Sequence, residues 1–203
     1  MDKFIIIFLV STLINQLLLR TKLLPSFTGD LHQKFSSIKS VPLTGGVILL
    51  VFYTYFFFNS NELIYFCFFG IFVLGILSDL KKIISANKRF LFQTIICFSL
   101  AIIGELEITN TRIDILDKII SNKVFNILFV TFCILIIING SNFIDGLNTL
   151  SLGYYFLIIC LLQSLKFDLA FDSVILIYIF LTLLILNLFN KLYLGDNGSY
   201  LIG

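Results

Sequence analysis

The chain has 203 residues, 59% of them apolar and 13% charged, with a net charge of +2 and a mean hydropathy of +1.04. A soluble domain carries roughly 25% charged residues, so this composition excludes a water-soluble globule, and so small a net charge gives no electrostatic basis for nucleic-acid binding. Apolar runs of about 17–25 residues cross a bilayer, and the expected class is an all-α, polytopic helical membrane protein.

Seven apolar runs are predicted as spans: Phe4–Leu19, Val47–Phe58, Leu63–Leu77, Phe90–Gly104, Val124–Ile138, Leu150–Leu165 and Val174–Phe189. The first follows Asp2-Lys3 without a basic leader or a small-residue cleavage site, so it is read as a retained helix rather than a signal peptide. Cys67, Cys97, Cys133 and Cys160 each stand alone inside a span with no C-x-x-C pair, which points to packing rather than metal binding. With no fixed-period repeat and no soluble segment, residues 1–203 are expected to form one membrane domain.

Seven spans divide the connecting segments between two faces. The odd loops and the C-terminal segment carry nine Lys and Arg, the other side five. The positive-inside rule then places the odd loops in the cytoplasm and the N-terminus outside. Every unusual polar cluster falls on the odd side. Val41-Pro42-Leu43-Thr44-Gly45-Gly46 precedes the second span, and Ser78-Asp79 closes the third, with Arg89 and Gln93 opening the fourth. Asn139 through Asn148 and Gly195 through Ser199 complete the set. The loop Glu105–Lys123 on the other side has mixed charges and no glycine, as a surface connection would.

Polar groups between apolar spans are costly unless they meet each other, water or an ion. Glycine and asparagine at 139–148 suit a helix end and turn with positive φ, with Asn148 or Thr149 capping the next helix. That need does not explain Asn139, Asn142 and Asp145, whose spacing of three places them on one face of a helical turn. In Gly195-Asp196-Asn197-Gly198-Ser199, glycines permit close backbone approach to an anion, and a single Asp is a hard oxygen ligand suited to Mg²⁺; the same string also fits an ordinary turn. Asp79 with Lys81, Lys82, Lys88 and Arg89 fits a membrane boundary touching anionic lipid. Pro42 and Gly45-Gly46 fit a loop-to-helix junction, and His32, the sole histidine, fits a solvated residue or head-group contact.

Taken in order, these blocks resemble the polyprenyl-phosphate N-acetylhexosamine-1-phosphate transferase superfamily, which includes undecaprenyl-phosphate GlcNAc-1-phosphate transferases. The matching strings are VPLTGG at 41–46, GILSDL at 75–80 with R-x-x-x-Q at 89–93, NGSNFIDGLNTL at 139–150 and YLGDNGSYLIG at 193–203. The resemblance implies a Mg²⁺-dependent enzyme of cell-envelope polysaccharide synthesis. It would move a sugar-1-phosphate from a UDP-N-acetyl amino sugar to undecaprenyl phosphate, release UMP, and work in the inner membrane with its motif loops cytoplasmic. It also implies roles. Asp196 would hold the metal, and Asp145 would assist at the metal and diphosphate. Asp79 would deprotonate the lipid phosphate or support the metal. Asn139, Asn142, Asn187, Gly45, Gly46 and Arg89 would bind substrate, Asn187 matching with a one-residue shift. Expected partners are the two substrates, membrane lipids and a second copy of the chain as a homodimer; nucleic acid is not among them.

Three departures from the family pattern stand out. Ser78 replaces the first Asp of an Asp-Asp pair, Asn148 replaces the second Asp of D-G-x-D-G, and the chain stops at Gly203, directly after the metal block, as a C-terminally truncated form would. They support an alternative, a non-catalytic, degenerate homologue acting as a membrane scaffold. A transporter, with Asp145 and Asp196 in broken helices at mid-bilayer, is disfavoured because the clusters sit at helix ends on one face.

Overall fold

The computed structural model describes residues 2–21, 23–24, 41–57, 62–146, 149–167 and 172–203; His32 and Asn148 lie outside them. The described residues form nine α-helices and no strand: α1 (Asp2–Thr21), α2 (Gly45–Phe57), α3 (Glu62–Asp79), α4 (Ala86–Ile103), α5 (Asp114–Ile120), α6 (Lys123–Ile144), α7 (Leu150–Ser164), α8 (Ser173–Leu188) and α9 (Gly195–Ile202). Each of the seven expected spans is a helix. By length and composition α1, α3, α4 and α6 can cross a membrane, while α2, α7 and α8 are shorter apolar helices.

Two short helices fall where loops were expected. α5 lies within the connection 105–122, at the end of α4 and α6 remote from the polar clusters. Asn126 anchors that connection: its Oδ1 accepts from the Ile108 N–H at 3.0 Å, and its Nδ2 donates to the carbonyls of Ile108 (2.8 Å) and Ile120 (3.0 Å). The other is α9, which begins at Gly195. The string read as a polar loop is therefore the first turns of a helix, and Leu201 and Ile202 are its last residues.

α1 shows why the chain needs a bilayer. Only Ile7, Ser11 and Asn15 are buried, one every fourth residue and so on one stripe, while Ile6, Leu9, Leu13 and Leu17 are exposed. An apolar surface of that size is stable against lipid rather than water. The helices gather into two sets. α1, α7 and α8 share a core with α2 through Ile7, Ile48, Phe52, Leu152, Ile179 and Leu183. α3, α4 and α6 pack with α9 through Ile71, Cys97, Leu135, Ile138 and Tyr200. α2 and α9 form the seam between the sets.

Lipid gives no hydrophobic drive for helix association, so close packing of small residues must hold that seam. A β-carbon on Gly46 of α2 would lie 2.5 Å from the Asn197 carbonyl carbon, and one on Gly75 of α3 would lie 2.4 Å from Asn197 Cα. α9 is thus clamped at backbone distance between α2 and α3. The segment leading into α9 is fixed as well: the Tyr193 N–H donates to the Pro42 carbonyl at 2.9 Å and the Gly45 N–H to the Tyr193 carbonyl at 3.1 Å.

Candidate active site at the α9 N-terminus

The four polar clusters meet around the first turn of α9. Its leading N–H groups have no partner within the helix, and Asp79, the last residue of α3, supplies one from outside. Asp79 Oδ1 accepts from the Asp196 N–H at 2.9 Å; Oδ2 accepts from the Asn197 N–H at 3.0 Å and from Asn197 Nδ2 at 2.5 Å. Asp79 is buried. Expected as a catalytic group, it has both oxygens accepting hydrogen bonds from the first turn of α9. Gly195 lets the chain enter this arrangement: its φ is +71°, and a β-carbon there would stand 3.0 Å from Asp79 Oδ2.

Asp196 projects from the turn that Asp79 fixes. Its Oδ1 accepts from Asn142 Nδ2 at 2.7 Å. Its Oδ2 accepts from the Ser78 hydroxyl at 2.5 Å and from Arg89 Nη1 at 3.2 Å, while Arg89 Nη1 also donates to Ser78 Oγ at 2.7 Å. Tyr200, one turn along α9, reaches the same Oδ2 at 3.5 Å. The Arg89 and Asp196 side chains are 30% and 25% exposed, so the cluster opens on one side.

Asp145 sits just past the end of α6, at its C-cap. Desolvation first, then the charges of Asp196 and Asp79, hold its carboxyl well above the ordinary carboxylate range, with the Gly195 N–H acting in the opposite direction. Three carboxylates and one guanidinium therefore share a small volume at one end of the bundle, with two negative charges in excess when all are ionised. Separations of 51 to 117 residues between the carboxylates along the chain are closed by α3 and α6 both packing against α9.

Other expected ligands have different surroundings. Gly45 and Gly46 face α9 rather than an open cleft; a β-carbon on Gly45 would lie 2.8 Å from Leu194 Cα. Expected to bind substrate, they pack closely against Leu194 and Asn197. Asn187 is 4% exposed. Its Oδ1 accepts from the Thr149 N–H at 2.7 Å and its Nδ2 donates to the Leu192 carbonyl at 3.0 Å, so it ties the end of α8 to the start of α7. Asn139 donates to the Leu135 carbonyl at 2.8 Å and to Gln93 Oε1 at 3.2 Å. The turn after α6 also differs from expectation: Thr149, not Gly146, takes the left-handed conformation, with φ 65°, and its side chain makes no cap bond.

Several residues of the site escaped sequence reasoning. Ser199 accepts from Asn142 Nδ2 at 2.9 Å, and with Tyr200 it stands three and four places after Asp196, a helical spacing hidden by reading that string as a turn. Thr44 and Asn15 form a buried brace, Thr44 Oγ1 donating to Asn15 Oδ1 at 2.6 Å and Asn15 Nδ2 to the Lys191 carbonyl at 2.9 Å. A lone Asn inside the first apolar run was the available signal. Ser78, read as a defect, lies at the centre.

The sequence profile of glycosyl transferase family 4 matches residues 61–203, which contain Ser78, Asp79, Arg89, Asn142, Asp145 and Asp196. The chain belongs to glycosyl transferase family 4. Family 4 enzymes of this class transfer a sugar phosphate to a polyprenyl phosphate in the membrane, so the chain is a membrane transferase by family. None of the curated proteins compared with it matches.

Among the described residues no three His, Cys, Asp or Glu side chains surround a common point as a ready-made metal cage. Mg²⁺ dehydrates reluctantly, keeps several waters and is held by one or two carboxylates plus substrate phosphates. Asp196 and Asp145 are oxygen donors of the right kind, and the net negative charge would be offset by a divalent cation. In this family 4 chain the donor set fits such an ion.

Proposed function

We propose that the chain transfers N-acetylhexosamine-1-phosphate from a UDP-sugar to undecaprenyl phosphate at the cytoplasmic face of the inner membrane, for cell-envelope polysaccharide synthesis. An oxygen of the lipid phosphate attacks the β-phosphorus of the UDP-sugar. The bond from that phosphorus to the bridging oxygen breaks, and UMP leaves with the electron pair. The observation that carries this reading is the convergence of Asp196, Asp145, Asn142, Ser78 and Arg89 around one helix N-terminus.

Phosphoryl transfer asks the protein mainly for positioning and charge stabilisation. Asp79 fixes the first turn of α9 and thereby aims Asp196. Asp196 and Asp145 would hold Mg²⁺, which when bound neutralises diphosphate charge and polarises the phosphoryl oxygens. Asn142 is placed to orient Asp196, and Arg89 stands at the open side, where a phosphate arrives. A lipid phosphate has a second pKa of about 6 by analogy with phosphorylated side chains, so it is largely ionised at neutral pH. The reaction therefore does not require a protein base, which accords with the full occupation of Asp79. The hydroxyl of Ser78 within the cluster weighs against the scaffold reading that its replacement of Asp suggested.

The test uses purified chain in detergent with undecaprenyl phosphate and UDP-GlcNAc labelled at the β-phosphorus. Label moving into the organic extract with equimolar UMP supports the reading. Release of UDP with the label left in water contradicts it.

A further inference from the structure

Each oxygen of a carboxylate offers about two lone-pair directions. Asp196 Oδ2 has both engaged by its two close donors, the Ser78 hydroxyl at 2.5 Å and Arg89 Nη1 at 3.2 Å, with the Tyr200 hydroxyl further off at 3.5 Å. Oδ1 has one engaged, by Asn142 at 2.7 Å. The two donors on Oδ2 are themselves linked, since Arg89 also donates to Ser78 Oγ. Ser78 comes from the end of α3 and Arg89 from the first turn of α4, so the pair is set by the α3–α4 hairpin rather than by a flexible side chain alone.

We propose that Arg89 and Ser78 form a clamp that saturates Oδ2, leaving Asp196 a one-oxygen cation ligand whose affinity Arg89 holds down. The inference rests on the reading of this site as a divalent-cation site. The clamp has two effects. It fixes the carboxylate plane and leaves one direction of Oδ1 free. It also keeps a positive charge 3.2 Å from the liganding group, which opposes a cation and favours its exchange between turnovers. Arg89 and Ser78 are positioning residues here, acting through Asp196.

The experiment is Mn²⁺ binding to the full chain in detergent, followed by loss of the free-ion EPR signal, with no substrate present. Wild type, Arg89→Gln, Arg89→Lys and Asp196→Asn are compared. Arg89→Gln should bind Mn²⁺ about fivefold more tightly or better, the ratio a partly exposed ion pair is worth. Arg89→Lys, which keeps the charge without the planar fork, should lie between it and wild type. A second readout is the pattern of the bound-Mn²⁺ signal, which should broaden in Arg89→Gln as Asp196 loses its fixed orientation. Unchanged or weaker binding in Arg89→Gln, with Asp196→Asn still abolishing binding, overturns the clamp while leaving the cation site standing. Equal binding by wild type and Asp196→Asn overturns the cation site itself, and the clamp with it. If Arg89→Gln fails to fold, Arg89→Lys binding no more tightly than wild type overturns the proposal on its own.

Discussion

Replacing Asp79 separates a cap from a base. Asp79→Ala removes the acceptor of two backbone N–H groups and one side-chain N–H, and two of those three bonds are buried. A buried donor left without a partner costs about 1–3 kcal/mol, and loss of an N-terminal cap alone about 0.5–2 kcal/mol. Against this stands relief from keeping a carboxylate out of water. The net expectation is a loss of about 2–4 kcal/mol. Asp79→Asn keeps the shape and one acceptor. Asn197 can rotate its amide to offer its own unpartnered Oδ1 to the new NH₂, so about 1–2 kcal/mol is expected. The chain has no Trp, so SDS-driven unfolding in detergent micelles is best followed by far-UV circular dichroism. Kinetics give the second arm. A cap lowers turnover by one factor at every pH, whereas loss of a general base removes the acid limb of the pH–rate profile. An Asp79→Ala chain as stable as wild type to within about 0.5 kcal/mol, the usual scatter for substitutions that touch nothing special, would refute the capping role.

Further outcomes follow from the same geometry. Gly75→Ala drives a methyl to 2.4 Å from Asn197 Cα and should cost about 1–3 kcal/mol. Gly140→Ala, with nothing within 4 Å of the new carbon, should gain about 0.5–1 kcal/mol in the same unfolding assay. The Asp145 carboxyl is held above its usual range, so the folded state keeps its proton where the unfolded state has lost it. Stability should therefore fall as pH rises from the ordinary carboxylate range through the raised folded value, and Asp145→Asn should flatten that slope in melts recorded from pH 4 upward. Asn126→Ala, remote from the site, removes three hydrogen bonds to backbone. It should make residues 105–122 sensitive to protease while leaving turnover near wild type.

The helical class and the seven apolar helices were legible because runs of Phe, Ile and Leu have few other folds in lipid, and four of the seven are long enough to cross it. The convergence of the clusters was legible through parity, since alternating spans return every second loop to the same face. What could not be read was which polar group faces inward. Asp79 looked like chemistry, and its caps on Asp196 and Asn197 depend on α3 ending beside α9, a contact between residues more than a hundred positions apart. Gly45 and Gly46 were expected to bind substrate, and close backbone approach leaves the same sequence trace whether the neighbour is a ligand or a helix. Asn187 matched by position, yet its amide is consumed by Thr149 and Leu192. α9 was missed as a helix because Gly-Asp-Asn-Gly reads locally as a turn; clamping between α2 and α3 overrides that preference.

On the proposed reading, Asp196, fixed at the start of α9, would serve phosphoryl transfer through a divalent cation. The direct measurement is incorporation of β-labelled UDP-GlcNAc into lipid by Asp196→Asn and wild-type chain across a Mg²⁺ titration. The account predicts Mg²⁺-dependent incorporation by wild type and a loss of at least about 100-fold in Asp196→Asn, the scale on which loss of one charge-stabilising group is felt. Equal incorporation by the two chains, or wild-type incorporation that persists in excess EDTA, would contradict it.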